Sequence, residues 1–70
     1  MVEPLEFGDD VVVVDEAGGA TSAVFLAGPS TDEGRQAIWV CDSWEWEISG
    51  REFRDPKGTA YPASAVRPAI

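Results

Sequence analysis

The feature that most constrains this 70-residue chain is that nothing covalent or metallic can cross-link it. Cys41 is its only cysteine and it has no histidine, so neither an internal disulfide nor a Cys/His zinc site can form. A domain this small buries only about 60% of its unfolded surface. We therefore expect large aromatic side chains to form most of the core: Trp39, Trp44, Trp46, Phe7, Phe25, Phe53 and Tyr61.

Short apolar runs between glycine-rich turns predict a mainly β fold in one domain over 1–70. The run Gly28-Pro29 is expected to end the second strand, and a polar loop is expected to follow it. In the third strand, Ile38 and Val40 should share one face and Trp39 the other. The first three strands are predicted at 10–15, 21–27 and 36–41.

The tryptophan-rich segment fits two structures. A helix over 43–50 would have Asp42 as its N-cap and Glu45 three residues later, a pattern typical of helix starts. A hairpin would instead use Ser49-Gly50 as its loop and pair Glu45 with Arg54 across the strands. Both alternatives remain open from the sequence.

The C-terminal part predicts a turn, one helical turn and a last strand. The composition of 55–58 is typical of a turn. Pro62 suits the start of a single helical turn over 62–66, since proline is tolerated at a first helical position. The segment 66–70 would then form an edge strand, where proline is permitted.

Two segments carry a resemblance to a known fold family. The Gly-Asp step into a valine-rich strand at 8–11, and the segment 62–68 before the last strand, resemble SH3-like small barrels of the Tudor and KOW group. The resemblance implies a small barrel of four or five strands. In length and residue usage the chain is similar to short accessory proteins of actinobacteria or their phages.

No catalytic or metal-binding pattern accompanies this fold. Serine and threonine have no histidine to act as a base, and Cys41 lies in an apolar run where cysteine is usually a small buried hydrophobe. Carboxylates such as Asp9 and Asp10 stand at strand ends, and the spacing of a calcium loop is absent. We therefore predict no enzyme, no cofactor and no metal site.

The net charge of −8 comes entirely from the first half of the chain. Residues 1–34 carry eight acids and no base, whereas residues 35–70 carry five of each. Such a field disfavours binding to nucleic acid, and the longest apolar runs, 11–14 and 23–27, are too short to span a membrane. Three explanations remain for the acidic charge. They are solubility, steering of a basic protein partner, and mimicry of nucleic acid.

These patterns favour a non-enzymatic interaction module that docks on a larger, basic protein. The alternatives are a structural assembly subunit, such as a phage virion component, a nucleic-acid mimic, and a reader that holds methylated lysine or arginine in an aromatic cage. The acidic N-terminus lacks a signal-peptide pattern, so we expect the cytoplasm or the interior of an infected host cell. The oligomeric state is left open. The predicted partner-binding residues are Asp9, Asp10, Asp15, Glu16, Trp44, Trp46 and Phe53.

Overall fold

The computed structural model describes residues 5–69, which form one antiparallel sheet, one α-helix and one 3₁₀ turn. This confirms the mainly β class, the helix and the helical turn. Glu3 of the acidic half and Ile70 of the predicted last strand lie outside the described residues. Helix α1 is Ser43–Arg51 and the 3₁₀ turn is Ala63–Ala65. The strands are β1 (Asp10–Val14), β2 (Ala20–Asp32), β3 (Arg35–Asp42), β4 (Thr59–Pro62) and β5 (Val66–Pro68).

The five strands form a sheet of order β4-β3-β2-β1-β5, which agrees with the predicted strand number, but the sheet is not closed into a barrel. The arrangement remains compatible with a small barrel-like fold. The two edge strands β4 and β5 have four and three residues and each ends in a proline, Pro62 and Pro68. Proline has no N–H to donate, so neither Pro62 nor Pro68 can donate a backbone hydrogen bond that would join the two edge strands. Short edges with proline also discourage pairing with another chain.

Strand β2 does not end at Gly28-Pro29 as predicted but continues to the two-residue turn Glu33-Gly34. Register shifts between Phe25 and Ser30 accommodate the glycine and proline within the ladder. Gly28 has φ +113°, and a Cβ there would lie 2.8 Å from the Ala37 carbonyl oxygen. The glycine is required because the neighbouring strand comes too close for any side chain, so here it permits a bulge and does not end the strand.

The core lies on one face of the sheet and is mainly aliphatic, so the expectation that aromatic side chains form most of it is wrong: of the predicted aromatic set, Phe25 belongs to the core and Tyr61 packs against it. Ile38 and Val40 belong to it, and Trp39 lies half-buried on the other face, as the alternation predicts. β-Branched side chains at alternate strand positions fill this small space without the larger rings. The core consists of Val11, Val13, Ala23, Phe25, Ile38, Val40 and Val66, with Leu5, Tyr61 and Ala63 packed against it.

Shortening a core valine tests this assignment. Val11 is completely buried, whereas Val12, its neighbour in β1, is partly exposed on the opposite face. We expect Val11→Ala to lower the free energy of unfolding in urea by about 2–3 kcal/mol through lost burial and a residual cavity. Val12→Ala is the matched control and should cost less than about 1 kcal/mol. Equal losses at the two positions would contradict the assigned core face.

Candidate functional site

Helix α1, and not the hairpin, forms in the tryptophan-rich segment because Asp42 caps it. Asp42 has extended backbone angles, and its Oδ1 accepts a hydrogen bond of 2.6 Å from the Glu45 N–H. This confirms the predicted cap. The Glu45 carboxylate does not return to the backbone of Asp42, as a full capping box requires, because it binds residues beyond the other end of the helix.

Glu45 fastens the chain that follows the helix back onto the helix. Its carboxylate accepts two hydrogen bonds from the Arg54 guanidinium, at 2.7 and 3.2 Å, and one of 2.9 Å from the Lys57 backbone N–H. We call this arrangement the Glu45 clasp. Arg54 also donates to Glu52 at 2.8 Å. The Glu45–Arg54 pair expected of the hairpin thus exists, but it joins the first turn of a helix to the segment after the helix end.

The clasp changes the acidity of Glu45. The hydrogen bonds from Arg54 and from the Lys57 N–H stabilise the carboxylate and lower the pKa of Glu45 to about 2. The hydrogen bonds that Arg54 donates to Glu45, and next to Glu52, raise the pKa of Arg54 above its usual value. Both groups therefore remain charged at neutral pH.

Phe53 ends the helix in a conformation that usually requires glycine. Its φ is +55°, and the next residue, Arg54, donates its N–H to the Ser49 carbonyl oxygen at 3.0 Å. This six-to-one bond is typical of a Schellman motif, in which the left-handed position is usually glycine. A side chain with a Cβ costs roughly 1–2 kcal/mol in that conformation. Burial of the Phe53 ring does not offset this conformational cost, since the residue is 96% exposed.

A groove lies next to Phe53, between α1 and the chain on either side of it. Trp46 forms one wall and meets the Phe7 ring edge-on, with centroids 5.1 Å apart. Gly50 also lines the groove, and a Cβ built on it meets no atom within 4 Å. The groove has a volume of about 260 Å³ and is lined by Phe7, Trp46, Ser49, Gly50, Arg54, Asp55 and Pro56.

The predicted aromatic anchors do not share one surface. Trp46 lines the groove, whereas Phe53 precedes the groove residues Arg54 and Asp55 along the chain without lining the groove itself. Trp44 is 68% exposed but stands two residues before Trp46, which places it about 200° away around the helix. Phe7, expected in the core, is 64% exposed and belongs to the groove. The exposed position of Phe7 could not be predicted from the sequence, because Trp46, which it contacts, lies 39 residues later in the chain.

The four predicted acidic residues form two separate pairs. Asp9 and Asp10 stand at the start of β1, and Asp15 and Glu16 follow its end, roughly 17 Å away. The Asp9 carboxylate accepts the Glu6 N–H at 2.8 Å. Asp15 is an Asx-turn residue whose Oδ1 accepts two backbone N–H groups. The carboxylates of Asp9 and Asp15 therefore stabilise local turns as well as adding negative charge to the surface. For Asp10 and Glu16, the structure gives no such role in a turn.

A second cleft, of about 290 Å³, is lined in part by Val13, Cys41 and Thr59. Burial, together with the carboxylates of Asp42 and Glu45, raises the pKa of the Cys41 thiol. A thiol so disposed is a poor nucleophile, which fits a packing role. In residues 5–69, no group of three or more Cys, Asp or Glu side chains is arranged to hold a metal ion.

Comparisons of the chain with protein-family models, with curated proteins and with solved structures gave no match. Across the described part of the chain, no helix has the length and apolar character needed to cross a membrane.

Replacing Phe53 by glycine should stabilise the fold. Phe53→Gly removes the strain at φ +55° without loss of buried surface, so the free energy of unfolding should rise by about 1 kcal/mol. Phe53→Ala is the matched control, since alanine keeps the Cβ and should bring no comparable gain. Chemical denaturation measures both. A loss of stability in Phe53→Gly would mean that the ring supports the fold.

The Glu45 clasp should make the free energy of unfolding depend on pH in the acid range. The folded-state pKa of Glu45 lies at about 2, below its ordinary value of 4.5, so its contribution is present above pH 4.5 and is lost as the pH falls towards 2. Glu45→Gln should therefore be less stable than the native chain at pH 7, and the difference should shrink between pH 4.5 and 2. Glu47→Gln, which breaks only the exposed pair with Arg51, is the control and should cost less than about 0.5 kcal/mol at pH 7.

Proposed function

We propose that this chain is a non-enzymatic interaction module that docks on a larger, basic protein through Phe53 and the adjacent groove. The observation that carries the proposal is Phe53 itself, a large aromatic side chain that is 96% exposed in a left-handed conformation. It weakens the fold at that position and gains no burial. A ring in such a place contributes most when another molecule covers it, since aromatic anchors dominate binding energy at interfaces.

The charge around the groove is largely compensated within the chain. Arg54 binds Glu45 and Glu52, and Arg51 binds Glu47. The contact itself would therefore be mainly apolar. The excess of −8 belongs to residues 1–34 and acts over a longer range.

This separation gives the two regions different roles in binding. Exposed acids such as Asp10 and Glu16 raise the association rate of a basic partner, because charge complementarity steers diffusional encounter. Phe53 and the groove set the lifetime of the complex, because apolar anchors act on the dissociation rate. A partner of this kind carries an apolar pocket or side chain surrounded by lysine and arginine.

Kinetic measurements on variants test this division. The immobilised chain is used to isolate a partner from extracts of its source, and the purified pair is then followed by surface plasmon resonance. Asp10→Asn with Glu16→Gln should slow association several-fold and leave dissociation unchanged. Phe53→Gly should speed dissociation about tenfold or more. Raising the salt from about 50 to about 500 mM should weaken the native complex through the association rate.

Arg67→Gln, on the exposed edge strand β5, is the control and should leave the dissociation rate unchanged. Binding that is insensitive to salt would contradict the electrostatic part of the proposal. Dissociation that is unaffected by Phe53→Gly would contradict the anchor.

A further inference from the structure

We infer that the groove beside α1 binds an arginine side chain of the basic partner, with its guanidinium at Asp55 and its stem against Trp46 and Phe7. The inference rests on the proposed function and names one residue that the partner carries. It can be tested with small peptides alone, so its failure would leave the role of Phe53 untouched.

The walls of the groove suit the stem and the plane of an arginine side chain. Trp46 and Phe7 both line it, and their ring centroids lie 5.1 Å apart in an edge-on arrangement. A guanidinium stacks on aromatic faces, and tryptophan attracts cations more strongly than the other aromatic side chains do. The methylene groups of arginine cover apolar surface while its charged end stays near water. Gly50 leaves room for the stem, since a Cβ built on it meets no atom within 4 Å.

Asp55 supplies the negative charge that a cation in the groove would meet. It lines the groove and is exposed. Within residues 5–69, Glu45, Glu47 and Glu52 each form an ion pair with an arginine, whereas Asp55 forms none. A carboxylate can accept two parallel hydrogen bonds from a guanidinium, a geometry that a lysine ammonium does not match. The chemistry of the groove therefore favours arginine.

Arg54, which also lines the groove, does not reverse this charge. It binds two carboxylates, Glu45 at 2.7 Å and Glu52 at 2.8 Å, which more than offset its single positive charge. The segment 42–57 as a whole carries five acidic and three basic residues. The surface around the groove is therefore negative even without the strongly acidic residues 1–34, whose field would attract the same partner.

The place of the groove fits the partner surface proposed above. Phe53 precedes Arg54 and Asp55 along the chain, so an arginine in the groove would lie beside the part of the partner that covers Phe53. A purely apolar occupant would cover the Asp55 carboxylate without compensating its charge, which is unfavourable. An acidic occupant would be repelled by it.

NMR titration of the full chain with blocked peptides tests the inference. The probe is Ac-Gly-Arg-Gly-NH2, and it should shift the Trp46 indole N–H and Phe7 ring signals with a dissociation constant of roughly 1–10 mM, as expected for one side chain. The citrulline peptide has nearly the same shape without the charge and should bind at least about threefold more weakly. Ac-Gly-Phe-Gly-NH2 should also bind more weakly, because it leaves Asp55 uncompensated.

Variants of the groove locate the binding. Asp55→Asn removes the carboxylate without changing its size and should weaken the arginine peptide about threefold or more. Asp10→Asn, at the start of β1, removes the same charge away from the groove and is the matched control. It should change the affinity by less than about 1.5-fold. Gly50→Leu fills the open side of the groove and should weaken binding at least about threefold.

Three results would overturn the inference. The first is a phenylalanine peptide that binds as tightly as the arginine peptide, which would make the occupant apolar. The second is an equal loss in Asp55→Asn and Asp10→Asn, which would show only general attraction to an acidic chain. The third is no response of Trp46 up to about 50 mM peptide. None of them decides the proposed function, which depends on how Phe53→Gly changes the dissociation of the partner.

Discussion

The ion pair between Glu45 and Arg54 is the interaction on which the surface around α1 depends. It ties the segment after the helix back along the helix, with a further bond from the Lys57 N–H. That return path brings Arg54, Asp55 and Pro56 beside Trp46 and so creates the groove. The Schellman hydrogen bond from the Arg54 N–H to the Ser49 carbonyl oxygen holds the start of this segment, and the clasp extends the attachment as far as Lys57. Because the pair is partly exposed, it contributes little to the free energy of folding, and its main effect is to position the segment after the helix.

The same turn determines how Phe53 is presented. A helix that ends in a Schellman motif needs a left-handed residue, and the chain then reverses direction. With phenylalanine at that position, the reversal directs the ring outwards while the clasp draws the following residues inwards. Exposure of Phe53 and formation of the groove are therefore two results of one local structure. The aliphatic core on the sheet supports this arrangement without taking part in it.

Sequence reasoning predicted the parts that local patterns control. The continuous run of β-branched valines indicated β1, and Ile38 and Val40 indicated one face of β3. Asp42 with Glu45 supported the helix, but the sequence left a hairpin open beside it. Sequence reasoning failed where tertiary packing decides. The sequence of Gly28-Pro29 predicts a strand end, because the bulge that forms there depends on the neighbouring strand. The aromatic residues were placed in the core because composition does not show that aliphatic side chains already fill it. The candidate site was half predicted: Trp46 and Phe53 were identified, but the contact with Phe7 and the division of the acids into two pairs required the fold.

The most direct test of this account is an NMR titration of the Glu45 side-chain carboxyl, with the ring signals of Phe53 and Trp46 followed in the same samples. The account predicts a midpoint at a pH of about 2, with the ring signals changing at that midpoint as the clasp opens. A midpoint near the ordinary value of 4.5, with ring signals that do not respond, would contradict it.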